Sequence, residues 1–247
     1  MSDVIHTLRS AGCVFAEEEA AALLEVASGA ELEELVRRRV AGEPLEHLVG
    51  YVDFDGRRYR LSPGVFIPRQ RSSYLVELAA SLGGSVILDL CCGCGALGLA
   101  VRDRIDPGVE LVATDISPAA VNDARANGVT EAFVGDLFDA VPLSLLDRVD
   151  LLLVNAPYVP TAAIGSMPRE SRDFEPRLAV DGGVDGMDVQ RRVFALADQW
   201  LSPGGALLTE TSTAQAEGLV GAAEQAGLTA RTEYDEDRGA TVLVATR

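Results

Sequence analysis

The 247-residue chain contains no lysine: all 21 of its basic side chains are arginine. That absence excludes Schiff-base and pyridoxal chemistry and a Walker-type phosphate loop, each of which needs a lysine amine. Histidine is nearly as scarce. His6 and His47 lie far from the other polar clusters of the sequence, which leaves little for a histidine zinc site or a Ser-His-Asp triad. Long apolar runs are missing as well. The longest uncharged stretch, residues 151–168, holds Asn155 and three prolines, so it reads as a strand and loop and not as a membrane span. Asp3, Arg9 and Glu17-Glu18-Glu19 interrupt any signal-like segment at the amino end, and a cytoplasmic protein without membrane contact is expected.

Positive charge is in deficit, with 38 acidic against 21 basic residues and a net charge of −17. Over a screening length of roughly 8 Å at physiological salt such a surface repels DNA and RNA, so direct nucleic-acid binding is not expected. Arg37-Arg38-Arg39 and Arg57-Arg58 read as a solvated helix face and a hairpin. Three of the four cysteines, Cys91, Cys92 and Cys94, are crowded together, and the first and last form a CxxC. They are interleaved with glycines, which fits small side chains beside a closely approaching ligand better than redox chemistry. No metal site is expected.

What is present is a strong alternation of elements. Residues 3–10, 16–28 and 31–41 carry helical apolar spacing and predict a small helical unit. Residues 50–61 alternate on both sides of Asp55-Gly56, a two-residue hairpin signal, and a helix is predicted over 70–82. From Ser85 onward, strands are predicted near 86–90, 110–114, 131–135, 149–154, 205–211, 229–234 and 240–245, with helices near 96–104, 118–127, 187–200 and 214–227. This pattern implies an α/β fold with a seven-stranded, mostly parallel, doubly wound sheet. The link over residues 235–239 is too short for a parallel crossover, so the last pair is expected to be antiparallel. The expected division is a helical unit over 1–48, a hairpin and linker over 49–68, and the main domain over 69–247.

Chemistry-bearing residues recur at the ends of these strands, where open α/β sheets bind ligands. Residues 89–98 formally match GxGxxG through Gly93, Gly95 and Gly98, and a helix amino end follows. Glycines that merely allow close strand–helix packing are the alternative reading of that motif. Asp115 closes the second strand and can accept both hydroxyls of a ribose. Asp136 and Leu137, at the third tip, can meet an adenine edge and face. The fourth strand, an apolar run, ends in Asn155-Ala156-Pro157-Tyr158, where an amide, a stiff backbone and a flat ring can hold a planar amide or amine. A dehydrogenase would show a substrate domain and a hydride-handling His or Lys, so S-adenosylmethionine is favoured over NAD.

Taken in order, the stretches 89–95, Asp115-Ile116-Ser117-Pro118-Ala119, Gly135-Asp136-Leu137-Phe138 and Asn155-Ala156-Pro157-Tyr158 resemble the HemK/PrmC family of protein-(glutamine-N5) methyltransferases. The resemblance includes residues 41–45, Phe66-Ile67-Pro68-Arg69 and residues 172–183, and it covers about residues 41–247. It implies a class I methyltransferase fold and S-adenosyl-L-methionine as cofactor, with S-adenosyl-L-homocysteine as product. Cofactor contacts are then expected at Phe66, Asp89, Cys91, Cys92, Gly93, Cys94, Gly95, Asp115, Ile116, Asp136, Leu137 and Asn155. Catalysis is expected of Asn155, Pro157 and Tyr158, and Ala156 joins these three in holding the substrate. The implied partner is a protein of the translation machinery, a peptide release factor or a ribosomal protein, methylated at a glutamine amide.

Three departures from the family pattern stand out. Ala156 replaces a proline, Gln70-Arg71-Ser72 replaces Pro-Glu-Thr with a change of charge, and the amino-terminal helical unit is short. Two other functions share parts of the pattern: adenine-N6 methylation of nucleic acid, which the acidic composition opposes, and cofactor binding by a non-catalytic partner protein.

Overall fold

Apolar residues three and four positions apart fold the amino end into α1 (Ser2–Ser10), α2 (Ala16–Val26), α3 (Gly29–Val40) and the short α4 (Leu45–Val49). The computed structural model describes residues 1–247. Leu8, Ala16, Ala20, Leu23, Leu35, Val36 and Leu48 supply the core of this helical unit. The spacing had predicted three helices. The fourth is confined to five residues between Pro44 and the left-handed Gly50 (φ +78°), too short for periodicity to reveal.

The hairpin forms as expected, from β1 (Tyr51–Phe54) and β2 (Arg57–Arg60), with φ of +49° at Asp55 and +78° at Gly56. Two successive left-handed residues match the twist of the flanking strands. Val52, Phe54 and Tyr59 project from the hairpin into the same apolar cluster as the main sheet. Asn127 holds its far side: its Nδ2 donates to the carbonyls of Arg60 and Cys94, both at 2.9 Å. The hairpin is thereby joined to the loop of the three cysteines.

The remaining elements, in chain order, are α5 (Ser73–Leu82), β3 (Val86–Leu90), α6 (Ala96–Ile105), β4 (Glu110–Asp115), α7 (Pro118–Asn127), β5 (Glu131–Val134) and β6 (Val149–Val154). They continue with α8 (Arg169–Phe174), α9 (Arg177–Val180), α10 (Asp188–Trp200), β7 (Leu201–Thr211), α11 (Ala216–Gln225), β8 (Thr229–Asp235) and β9 (Ala240–Thr246). The seven-stranded sheet has the order β5-β4-β3-β6-β7-β9-β8, and β9 is antiparallel to both of its neighbours. Helices α5, α6 and α7 cover one face and α10 and α11 the other, each burying an apolar stripe. On the second face Phe138 and Trp200 stack with ring centroids 5.3 Å apart. No helix is long and apolar enough to cross a membrane.

Two local differences from expectation have physical causes. Strand β7 starts at Leu201 and not near 205, because a register shift lets Leu201 pair with Val149 before Ala206 pairs with Leu151. Gly205 sits inside that irregularity, where a Cβ would lie 2.6 Å from the Val149 carbonyl oxygen. The stretch between β6 and α10 contains the short helices α8 and α9, each begun by a proline, Pro168 and Pro176, that presets the first turn. The order of the sheet puts the topological switch between β3 and β6, which places the ligand crevice beyond their carboxyl ends.

Candidate active site

Beyond the switch point lie two adjoining cavities. The first is lined by Phe54, Phe66, Pro68, Ser72, Asp89, residues 91–94, Ala96, Leu97 and Asn155. The second is lined by Phe66, Arg69, Arg71, residues 155–159, Met167, Glu175, Ala179 and Val180. Phe66 and Asn155 belong to both, so the two chambers meet at these side chains.

The first chamber is built on the tip of β3. Cys91 has φ +56° and Gly93 +55°, which curls the loop over the strand tips, where the N–H groups of Cys92 and Gly93 donate to the Thr114 carbonyl and to Asp115. The three loop glycines of the fingerprint then part company. A Cβ on Gly93 would come no nearer than 4.0 Å to any neighbour, whereas one on Gly95 would lie 2.9 Å from Val129 and one on Gly98 2.8 Å from Asp89. Gly93 therefore lines the cavity with open space above it, and Gly95 and Gly98 are closely packed. Burial pushes the thiols of Cys91, Cys92 and Cys94 upward, that of Cys94 to about 12. They remain neutral, and no His, Cys, Asp and Glu grouping suited to a metal ion exists in the protein.

Asp89 is buried. Its Oδ2 accepts from the Gly98 N–H at 3.0 Å, whereas Oδ1 has no partner. Burial, reinforced by the nearby charge of Asp115, pushes this carboxyl up to about 7. An unpaired acceptor on the wall of a cavity suits a positively charged ligand. Asp115 Oδ2 accepts from the Gly93 N–H at 2.9 Å and Oδ1 from the Ser117 N–H at 2.8 Å. Each oxygen keeps a second lone pair, the capacity needed for a pair of vicinal hydroxyls. Ile116 follows it, half-exposed. S-Adenosylmethionine, with a sulfonium, an ammonium and a ribose diol, fits this donor and acceptor set: Asp89 would face the cation and Asp115 the ribose.

Gly95, Asp115, Ile116, Asp136 and Leu137 line neither chamber; Gly95 stands behind the loop, and the other four stand at the neighbouring strand ends. Leu137 adopts φ +52°, and its carbonyl accepts from Thr114 Oγ1 at 2.9 Å. Asp136 pairs with Arg192 of α10 at 2.7 Å.

The second chamber is built on the tip of β6. Neither the Asn155 side-chain amide nor the Ala156 carbonyl has a hydrogen-bond partner within the protein. Tyr158 is fixed at two points. Its carbonyl accepts from Gln215 Nε2 at 2.9 Å, and its hydroxyl accepts from Arg71 at 2.6 Å and donates to Glu210 at 2.9 Å. Burial and the Glu210 charge push the phenol up to about 12. Gly182 lies flat against this segment, where a Cβ would come 2.8 Å from the Pro157 carbonyl oxygen. Arg69 packs over the Phe66 ring at 5.0 Å and reaches both oxygens of the buried Glu175 at 2.6 Å.

Sequence reasoning missed Glu210, Gln215, Glu175 and Arg71 as members of the site. A charged residue at the end of a buried strand was the available signal for Glu210, as it was for Asp115. For Gln215 no local signal exists, whereas Glu175 lies within residues 172–183, part of the stretch that carries the family resemblance.

Comparison with known proteins places this geometry. Residues 62–167 match the family described as Methyltransferase small domain. A release factor glutamine methyltransferase of Geobacter sulfurreducens is 35% identical over 200 residues, spanning 78% of this chain and 69% of the relative. That of Bifidobacterium longum is 31% identical and spans 93% of both chains. Among solved structures, the 16S rRNA N2 G1207 methyltransferase of T. thermophilus, in complex with AdoMet and guanosine, superposes with a TM-score of 0.56 at 20% identity, over 80% of this chain and 49% of that one. At that identity the likeness shows the class I methyltransferase fold.

Proposed function

Because the chain belongs to the family of release factor glutamine methyltransferases, we propose that it methylates the side-chain N5 of a glutamine in a peptide release factor. The chain is an S-adenosylmethionine-dependent methyltransferase. The observation that carries the choice of acceptor is the pair of unpartnered oxygens, Asn155 Oδ1 and the Ala156 carbonyl, where the two chambers meet.

An amide nitrogen is a poor nucleophile because its lone pair is delocalised into the carbonyl. Two acceptors that receive its two N–H groups orient the lone pair toward the first chamber, and Pro157 holds them in an extended backbone. Positioning of this kind removes roughly 7 to 11 kcal/mol of barrier in the best cases. S-Adenosylmethionine, when bound, supplies an electrophilic methyl group on a sulfonium. As the new N–C bond forms the S–C bond breaks, and the alkylated amide, now acidic, sheds its proton without a strong base. Tyr158 walls the chamber with its ring and packs against the glutamine methylenes. The Ala156 departure preserves this scheme, since only the backbone carbonyl is used.

The helical unit over residues 1–48 serves recognition of the protein substrate. Its seat beside α8, through Arg39 and Glu170, supports that role. The acidic surface supports a protein and not a nucleic acid as partner, and a cytoplasmic setting follows from the partner's place in translation.

The test is transfer of labelled methyl from S-adenosylmethionine to the release factors of the same source, with the modified residue located by mass spectrometry beside an Asn155→Ala control. Label at one glutamine, absent in the control, is expected. Label confined to nucleic acid, or cofactor binding with no transfer to any protein, would overturn the proposal.

A further inference from the structure

Arg71 sits where the family pattern carries a glutamate, and its side chain reaches 139 residues along the chain to the tip of β7. There its Nε donates to Glu210 Oε1 at 2.7 Å while its Nη2 donates to the Tyr158 hydroxyl at 2.6 Å. Ser72 donates to the other oxygen, Oε2, at 2.5 Å, and the Tyr158 hydroxyl donates to Oε1. Glu210 is 2% exposed, and every hydrogen bond its carboxylate receives comes from the stretch 71–72 or from the Asn-Ala-Pro-Tyr motif. Thr209 pairs with Val154 in the last rung between β6 and β7, so Glu210 and Asn155 are the residues that follow that rung in each chain segment.

We propose that Arg71 and Glu210 are positioning residues for methyl transfer, acting through Tyr158 to hold its ring as a fixed wall of the acceptor chamber. The guanidinium makes this possible because it is a planar fork: one edge meets the carboxylate and the phenol together, which a point charge on a flexible stem does not do. Gln215 fixes the same tyrosine at its carbonyl. The residue is thus tethered at backbone and hydroxyl, and the ring between them presents a surface of set position to the substrate side chain. The arginine at 71 is consequently a working part of this chain's site and not a loss of the family's acidic residue. The inference rests on the glutamine reading only in naming what the ring packs against.

Two readouts test it. In protein labelled with ζ-13C tyrosine, which carries five tyrosines, the Tyr158 signal is assigned by its loss in Tyr158→Phe. Arg71→Gln is expected to move that signal and leave the other four in place. Steady-state kinetics on Arg71→Gln is expected to show kcat/KM for the protein substrate falling at least tenfold while the affinity for S-adenosylmethionine, measured by calorimetry, stays within twofold. Tyr158→Phe keeps the Arg71–Glu210 pair and the ring; it is expected to lose kcat/KM in the same direction, and it decides the matter if Arg71→Gln does not fold. An unmoved Tyr158 signal, or unchanged kcat/KM in both variants, would overturn the proposal. A moved Tyr158 signal in a protein whose wild type methylates no glutamine would support the tether and sink the functional reading instead.

Discussion

Arg39 and Glu170 join the amino-terminal helices to α8, whose flanking residues Met167 and Glu175 line the second chamber. Arg39 is nine-tenths buried; its Nη1 reaches Glu170 of α8, and its Nε and Nη2 hold both oxygens of Glu19 in α2. At the far end of α8 Glu175 meets Arg69, whose guanidinium covers Phe66. One short helix therefore connects the helical unit to a side chain shared by the two chambers. Glu170 is half-exposed and its loss leaves the Arg39–Glu19 pair intact. Glu170→Gln is expected to raise KM for the protein substrate about three- to tenfold, with cofactor affinity unchanged in calorimetry and a stability change below about 1 kcal/mol.

Asn155→Ala is expected to separate function from folding. Its side chain makes no hydrogen bond inside the protein, so the loss should leave the midpoint of urea unfolding nearly unchanged. The rate of methyl transfer should fall by about two to three orders of magnitude, the scale for removing a group that orients reacting atoms. A fall in stability matching the fall in rate would contradict this separation.

Asp89 gives a pH dependence of defined sign. Its native pKa near 7 lies above the ordinary value of 3.8 because burial disfavours the charged form. Its share of stability is therefore complete at pH values below about 3.8 and is lost as pH rises toward 7, by about 4 kcal/mol in all as an order of magnitude. Thermal unfolding of the cofactor-free protein should show this decline, and Asp89→Asn should lack it. A cationic ligand reverses the preference, so cofactor binding at pH 7 should release about half a proton per site. Calorimetry in buffers of different ionisation enthalpy reads that release.

Gly98→Ala is expected to destabilise the protein by about 1 to 3 kcal/mol. The added methyl would lie 2.8 Å from Asp89 Oδ2 and 2.9 Å from Leu111, between a buried strand and the first turn of α6. The displaced α6 should also weaken cofactor binding, whereas Gly165→Ala, in open space on the surface, should do neither.

The sheet was legible because its strands are apolar runs bounded by turn residues: β3 and β6 begin and end as predicted, and Asp55-Gly56 turns the hairpin. The chamber walls at Asp89, Cys91 to Cys94 and residues 155–158 were legible because strand tips bind ligands in such sheets. What escaped was pairing at long range. Glu210 meets Arg71 across 139 residues and Arg69 meets Glu175 across 106, and no periodicity couples such positions. The fingerprint Gly93-x-Gly95-x-x-Gly98 was read with its alternatives open, and the structure shows close packing at Gly95 and Gly98 and open space at Gly93.

The meeting of two chambers at Phe66 and Asn155 has a consequence for traffic. A side chain that reaches the reacting carbon from the second chamber plugs the passage between them. Exchange of a small molecule through that passage is then shut for as long as the side chain is in place. The larger partner thus acts as the stopper of the passage, and water in the second chamber is cut off from the first while it is in place.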